Sequence, residues 1–253
     1  MSINERDIMG GLAKGLRVIE TFTSERPRQS IIEVAAASGL DRATARRCLL
    51  TLAHHDYADY DGKFFTLTPR ILRLGTACLA TMPLPQIVQP NLDRLSEDIG
   101  ESSSVSVLDG AQIVYVARAA QRRVMSIALM PGSRLPAWCT SMGRVMLAAL
   151  PETELAPVLA LAPFPARTPH TLIEADQIVA ELARVRRDGY AIIDQEVELG
   201  LRSIAVPLLN ARGRVIAAVN VGLPAAHASS ADLREHFLPH LLKMQGELRA
   251  LLH

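Results

Sequence analysis

The chemistry most evident in this sequence is that of a cationic helix. Residues 41–54, DRATARRCLLTLAH, carry apolar side chains three and four positions apart, which predicts a helix with one buried stripe. Small side chains let such a helix lie deep in a major groove, where guanidinium groups reach phosphates or guanine edges. The side opposite the stripe carries three arginines and two small residues, and we predict that it contacts double-stranded DNA: Arg42, Ala43, Thr44, Arg46 and Arg47.

Three nearby signals would position that helix. Ser30 and Glu33 have the spacing of a capping box, in which each side chain satisfies a free amide at the start of a helix. Ser38-Gly39 predicts the end of that helix, because glycine adopts the left-handed conformation there. Asp41 predicts the cap of the next helix. Two helices joined by a short glycine-containing turn form a helix-turn-helix.

A further helix and a hairpin complete the unit. Residues 10–22, GGLAKGLRVIETF, have apolar residues at helical spacing. Residues 57–68, YADYDGKFFTLT, give two strand-like runs around Asp61-Gly62, a strong hairpin signal. Lys63 lies at the edge of this turn, in position to reach a phosphate. The pattern predicts a winged helix-turn-helix. The alternative, a helical domain whose arginines are only solvated, is disfavoured by the capping box, the turn and the hairpin together.

Composition sets the broad class. The chain has 253 residues, 49% hydrophobic and 21% charged, enough to bury a core in one large domain or two ordinary ones. The net charge is only +1, so the DNA prediction depends on where the charges lie. The three cysteines, Cys48, Cys78 and Cys139, indicate neither a disulfide framework nor a metal site. With no signal-peptide or membrane-span pattern, we expect a soluble cytoplasmic protein without metal or cofactor.

A proline-rich connector divides the chain. Pro69 stands at a first-turn position, and the following apolar residues predict a linker helix with a wide apolar arc. That arc requires a partner, either the rest of the chain or the same helix of another subunit. The prolines of PLPQIVQP then break the pattern. We predict three parts: a winged helix-turn-helix domain at 1–68, a linker helix at 69–84 and a larger domain at 85–253.

The larger domain mixes helices with pairs of strands. A helix is predicted from Asn91, and strand-like runs meet at turns marked by Asp109-Gly110 and Arg212-Gly213. Strand pairs with helices at both ends predict an α+β fold built on an antiparallel sheet.

Several segments together resemble one family over nearly the full length. They are GLAKGLRVIETF, VAAASGLDRATARRCLLTL, FTLTPRILRLG, LPAWCTSMGRVMLA, GYAIIDQEVELGLRSIAVPL and GRVIAAVNVGLP. The chain resembles the IclR family of bacterial transcriptional regulators. More narrowly, RRVMSIALMPGSRLPAWCTSMGRVMLA resembles the branch that controls protocatechuate, p-hydroxybenzoate and β-ketoadipate catabolism. The resemblance implies a winged helix, a linker helix used in dimerisation, a GAF-like effector domain, and dimers that pair into tetramers on DNA.

The resemblance also implies an effector pocket in the larger domain. Many relatives carry a cysteine where this chain has Ser203, and small hydroxylated residues where it has Asn220 and Gly222. The family's pocket maps onto these strand positions, an acidic loop and the start of a helix: Ser203, Asn220, Gly222, Asp194, Glu196, Ala137, Trp138, Cys139, Thr140, Ser141 and Gly143.

A pocket for a small organic anion needs donors around the carboxylate and apolar walls. Hydroxyls and free amides at a helix start bind anions, as does a two-pronged guanidinium. The candidates for a cationic clamp are Arg123, Arg134 and Arg144, and those for an apolar wall are Met125, Leu129, Met130 and Trp138. Structural roles remain open for the same residues: arginines at the surface, methionines in the core, and ion pairs of the acidic loop with Arg202 or Arg187.

Catalysis is the competing class of function. Cys139 beside Thr140 and Ser141 suggests a nucleophile, but no histidine lies in a recognisable motif near it. There is no Walker loop and no GxSxG, and GRVIAAVNVG has the wrong glycine spacing for a dinucleotide. We predict a regulator, not an enzyme, that binds operator DNA and a small organic acid and self-associates as a dimer or tetramer. The alternative is an enzyme using Cys139 with an appended DNA-binding domain.

Overall fold

The computed structural model describes residues 4, 7–23, 25–120 and 129–252 of the chain. The chain separates into two compact units, Met1–Ala80 and Thr81–His253. Each has its own hydrophobic core.

The first unit is a winged helix-turn-helix, as predicted. Its strands form an antiparallel sheet in the order β1-β3-β2. A 3₁₀ turn at Pro69–Ile71 leads into the last helix. The elements are α1 (Gly10–Glu20), β1 (Arg28–Ser30), α2 (Ile31–Ser38), α3 (Arg42–His54), β2 (Ala58–Tyr60), β3 (Phe64–Leu67) and α4 (Leu72–Thr81).

The helix boundaries follow the predicted caps. Ser30 Oγ accepts from the Glu33 amide, and the Glu33 carboxylate accepts from the Ser30 amide at 2.7 Å. Gly39 ends α2 with φ +65°, a conformation that glycine adopts without strain. The Asp41 carboxylate accepts from the Thr44 amide at 2.8 Å and caps α3. The capping box, the turn and the α3 cap are therefore confirmed.

The first unit differs from the sequence prediction in two places, the buried face of α1 and the presence of β1. Ala45 and Leu49 of α3 are buried as predicted. On α1 the buried residue is Val18, whereas Leu12 and Leu16 are 61% and 48% exposed. β1 was not predicted, because a three-residue strand is too short to show an alternating pattern.

The second unit is built on a six-stranded antiparallel sheet, which confirms the α+β prediction. The strand order is β6-β5-β4-β9-β8-β7. Hairpins join β4 to β5 and β8 to β9 at the predicted turns, with Gly110 and Gly213 at positive φ. The strands are β4 (Ser102–Asp109), β5 (Gln112–Ala119), β6 (Arg134–Pro136), β7 (Ala191–Asp194), β8 (Leu201–Leu209) and β9 (Val215–Pro224).

Helices cover both faces of this sheet. One face packs on α5 and α10, and the other on α6, with α8 outside α6. A π-helical segment, Leu233–Phe237, precedes α10. Among the described residues, none of the helices has the length and hydropathy needed to cross a bilayer. The helices are α5 (Pro83–Ile99), α6 (Ser141–Ala148), α7 (Glu152–Leu159), α8 (Ala175–Asp188), α9 (Ser230–Asp232) and α10 (Leu238–Leu248).

The predicted break is found at Pro83, after α4 has ended at Thr81, but the later prolines do not interrupt the next helix. α5 begins at Pro83, not at Asn91, and continues through Pro90. A proline in the first turn removes an amide that would lack a helical acceptor anyway. Pro90 removes one internal hydrogen bond, but Val88 and Leu92 beside it are fully buried, so packing on the sheet stabilises the helix. The strand-like run RVMSIALM, residues 123–130, falls largely on residues 121–128, outside the described part.

Candidate functional site

The cationic side of α3 is open to solvent. Arg42, Ala43, Arg46 and Arg47 are exposed, and Thr44 is half-buried beside its cap. Within the described residues, none of the three guanidinium groups forms an ion pair. Their charges are therefore free to bind phosphate.

The turn of the β2–β3 hairpin, hereafter the wing, is organised by Asp61. Its carboxylate accepts from the amides of Phe64 (2.8 Å) and Lys63 (2.9 Å) and pairs with Arg28. The Phe64 amide and then Arg28 hold the pKa of Asp61 well below its usual range. Gly62 follows at φ +99°. The turn leaves Lys63 exposed, with its ammonium 5.1 Å from the Phe64 ring.

A small cavity lies in the second unit, on the α6 side of the sheet. Its volume is about 30 Å³, room for one or two water molecules, so a ring-sized ligand must displace part of the cover. Polar side chains and a few apolar ones line it: Ser102, Ser104, Tyr115, Arg118, Leu129, Leu135, Thr140, Ser141, Met142, Val197, Leu201, Ser203, Asn220 and Gly222.

Strand register brings the polar residues together. Arg118, Ser104 and Asn220 are paired across β5, β4 and β9. Ser102, Gly222 and Ser203 form the next row across β4, β9 and β8. Paired residues of an antiparallel sheet point to the same face, so both rows face the cavity.

Arg118 is the cation of this cavity. It is half-buried, and its Nη1 donates to Ser104 Oγ at 3.0 Å. Burial lowers the pKa of Arg118, and burial raises the pKa of Tyr115 to about 12. In the described chain Arg118 forms no ion pair. A guanidinium thus faces a polar cavity without a carboxylate to balance it.

The start of α6 closes the other side of the cavity. Thr140 caps the helix by accepting from the Gly143 amide at 3.2 Å. Ser141 Oγ lies 2.9 Å from Ser203 Oγ, which joins α6 to β8. A Cβ at Gly143 would clash with the carbonyl oxygen of Ala137. Glycine is therefore needed for the loop to close on the helix.

Six of the residues predicted for the effector pocket and its wall line this cavity. They are Leu129, Thr140, Ser141, Ser203, Asn220 and Gly222. Arg123 and Met125 lie outside the described residues, and the others lie elsewhere in the second unit: Met130, Arg134, Ala137, Trp138, Cys139, Gly143, Arg144, Asp194 and Glu196.

Three residues that were predicted for the pocket lie outside the cavity for a physical reason. Met130 is 60% exposed. Arg134 pairs with Asp109 at 2.6 Å on the surface. Trp138 is buried and stacks on Phe164 with ring centroids 4.6 Å apart. None of these three side chains lines the cavity.

The acidic loop and Arg144 form a buried ionic cluster behind the cavity. Arg144 is 1% exposed, and its Nη2 donates to Glu196 at 2.7 Å, while Nη1 lies 3.5 Å from Glu181. Burial raises the pKa of Glu196, and Arg144 opposes that shift. Asp194 pairs instead with Arg202 at 2.8 Å, the ion pair left open by the sequence. The cluster ties α6 to α8 and to the loop after β7.

The environment of Cys139 does not suit a nucleophile. The thiol is buried, and burial raises its pKa to about 12. The thiolate is the reactive form of cysteine, so it is scarce at neutral pH. This argues against the enzymatic alternative.

The sequence did not lead us to Ser102, Ser104, Tyr115 and Arg118. One usable signal was the run SSSVSV, because small polar residues two apart on an otherwise buried strand mark a polar patch. No comparable signal distinguishes Arg118 from the neighbouring arginines.

Comparison with known proteins agrees with this two-unit architecture. Residues 11–62 match the IclR helix-turn-helix domain, and residues 76–248 match the C-terminal domain of the bacterial transcriptional regulator IclR. The chain is 42% identical over 243 residues to the Pca regulon regulatory protein of Pseudomonas putida, covering 96% of this chain and 84% of that protein.

Solved structures of similar fold include the following two. An IclR family transcriptional regulator from Brucella abortus has a TM-score of 0.84 and 26% identity, with 98% of this chain and 95% of that chain covered. The inducer-binding domain of a PobR double mutant from Acinetobacter, in complex with 3-hydroxybenzoic acid, has a TM-score of 0.63 and 32% identity. The match covers 66% of this chain and 98% of that chain. The proteins matched here are described as regulators, not enzymes.

Proposed function

Because this chain belongs to the IclR family of bacterial transcriptional regulators, we propose that it binds operator DNA through α3 and the wing and responds to an aromatic acid. The observation that carries the proposal is that the described part of the chain has two cationic sites without acidic partners there, one on α3 and one in the second unit's cavity. The first suits a polyanion, and the second suits a single small carboxylate.

On DNA, α3 would enter the major groove with its exposed arginines toward phosphates and base edges. Lys63 would contact the backbone from the wing. The small side chain of Ala43 allows the helix a close approach, while the arginines on either side supply the charge. This arrangement supports recognition of a specific sequence in addition to general phosphate attraction.

The effector class follows from the relatives together with the cavity. One relative is a Pca regulon protein, and another was crystallised with 3-hydroxybenzoic acid. The cavity combines hydroxyl and amide groups with apolar walls such as Leu135 and Val197, a mixture suited to a hydroxylated aromatic acid. Such a ligand can alter DNA binding only if it binds the DNA-bound conformation of the protein with a different affinity from the free conformation.

Self-association is the third part of the proposal. Leu12 and Leu16 of α1 and Leu72 and Leu74 near the start of α4 are each between 48% and 65% exposed. Leu12, Leu16 and Leu74 line one groove of about 750 Å³ in the first unit. Contiguous exposed apolar surface marks an interaction site, and a second copy of the same surface would place two α3 helices on repeated half-sites.

The proposal is tested by selecting bound duplexes from a random DNA pool with the full-length protein. We expect the selection to enrich a palindromic or repeated site. We then expect an aromatic acid to change the protein's affinity for that site and to raise the protein's melting temperature. Sedimentation would give a dimer or tetramer. Failure to enrich any sequence contradicts the DNA-binding part of the proposal. If no acid in a panel of aromatic and dicarboxylic acids changes the melting temperature or the operator affinity, the effector part is contradicted.

A further inference from the structure

We propose that Arg118, held by Ser104, is the residue that binds the effector's carboxylate, and that the Ser141–Ser203 pair binds a hydroxyl at the opposite end. The inference rests on the proposed function, because it assumes that an organic acid occupies this cavity. It assigns the ligand's class and direction: a monocarboxylate with a flat apolar body and one distal hydrogen-bonding group.

Arg118 differs from the other arginines compared below because it has no carboxylate partner among the residues that the structure describes. Arg134 pairs with Asp109, Arg144 with Glu196, and Arg202 with Asp194. Across the described residues, Arg118 has only a serine hydroxyl as its side-chain partner. A guanidinium has five N–H donors, so most remain available after the bond to Ser104. A partly buried, unbalanced cation is unfavourable, and a carboxylate that accepts two parallel hydrogen bonds would relieve that cost.

Ser104 fixes where the guanidinium lies. Arg118 is on β5, and its bond to Ser104 carries its side chain across onto β4. Tyr115, which also lines the cavity, stays protonated because burial raises its pKa to about 12. It therefore adds no negative charge to compete for Arg118, and its hydroxyl remains a neutral donor.

The distal end of the ligand follows from the strand order. β8, which carries Ser203, is two strands from β4, or about 10 Å at the usual spacing. That distance suits one substituted benzene ring plus its hydrogen bonds. Only one of the two hydroxyl protons of Ser141 and Ser203 is used in their mutual bond. The other can donate to a phenolic oxygen, and Asn220 lies on the strand between the two ends.

The test is calorimetry of the full-length protein with 4-hydroxybenzoate, 3-hydroxybenzoate, 3,4-dihydroxybenzoate, benzoate and the uncharged 4-hydroxybenzamide. In the wild type we expect the acid that binds tightest to bind more strongly than the amide. In Arg118→Gln we expect acid affinity to fall about 10- to 100-fold, the loss of a charge-assisted pair, while amide affinity stays nearly constant. Arg118→Lys, which keeps the charge but loses the fork, should give an intermediate loss.

Matched variants keep the test specific. Arg134→Gln removes an arginine that lies outside the cavity and should leave acid binding unchanged. Ser203→Ala should reduce the advantage of 4-hydroxybenzoate over benzoate. Thermal melts establish that each variant is folded. If the wild type binds an acid and folded Arg118→Gln binds it equally well, this inference is overturned while the proposed function stands. If no acid in the panel binds the wild type, this inference and the effector part of the proposed function are both overturned.

Discussion

Arg144 and Glu196 form an ion pair of 2.7 Å that is almost wholly removed from solvent. The pair joins the helix that closes the cavity to the loop that carries the cavity wall residue Val197. The arginine that the sequence suggested as a ligand clamp therefore supports the cavity from behind.

Arg144→Met should destabilise the second unit by roughly 3–5 kcal/mol. The substitution leaves a buried carboxylate without its partner, and removing one member of a buried pair has an effect of that size. Urea unfolding followed by circular dichroism measures the change. Arg134→Met, at an exposed pair, should change the free energy of unfolding by no more than about 1 kcal/mol. Equal effects of the two substitutions would show that the Arg144 cluster has no special structural role.

Alanine at Arg42, Arg46 and Arg47 should weaken binding to the selected operator. Each lost phosphate contact should reduce the salt dependence, the slope of log affinity against log salt, by about 0.9. A lost base contact should reduce affinity by about 1–3 kcal/mol and relax specificity at one position. Fluorescence anisotropy at several salt concentrations separates the two. Arg212→Ala, which removes an exposed cation from the second unit, is the control. Unchanged binding by the triple variant would mean that α3 does not contact DNA.

Gly143→Ala should destabilise the second unit by about 1–3 kcal/mol, the range for an overpacked site. The added methyl group would press on the backbone of Ala137 and on Thr140, so the loop must shift away from α6. Acid binding should weaken as well, because Thr140 and Ser141 line the cavity. Gly246→Ala is the matched control. Open space surrounds Gly246 within α10, and alanine there should stabilise by about 0.5–1 kcal/mol. Calorimetric unfolding compares the two, and a neutral Gly143→Ala would contradict the close packing.

Asp61→Asn should make the first unit less sensitive to acid. The folded-state pKa of Asp61 is depressed, so its stabilisation is complete above its unfolded-state pKa, about 3.9. It is lost as the pH falls through the folded-state value. Asparagine keeps an oxygen to accept from the Lys63 and Phe64 amides but loses the charge that pairs with Arg28. Urea unfolding at pH 6, 4 and 3 should show a smaller loss of stability in the variant than in the wild type. An identical loss would mean that other carboxylates, such as Asp41, account for the acid sensitivity.

Local elements could be predicted because their signals lie within a few residues of one another. Ser30 with Glu33, Asp41 with Thr44, and Asp61-Gly62 each satisfy a turn or helix end from neighbouring positions. The exposed face of α3 was predictable for the same reason, since its apolar stripe fixes the opposite side. Pro90 was misread because its local cost is outweighed by packing on the sheet, which the local pattern does not contain.

The sequence by itself thus determined the winged helix, the antiparallel sheet and the cationic surface of α3. Only the tertiary structure decided which arginine faces the cavity, because ion pairs form between residues far apart in the chain. Strict alternation along a strand would put Tyr115 and Arg118 on opposite faces. A register shift at Val105/Ser106 leaves Val116 without a partner on β4, and both side chains line the same cavity. A bulge of this kind depends on how two strands fit together, so neither strand's sequence alone specifies it.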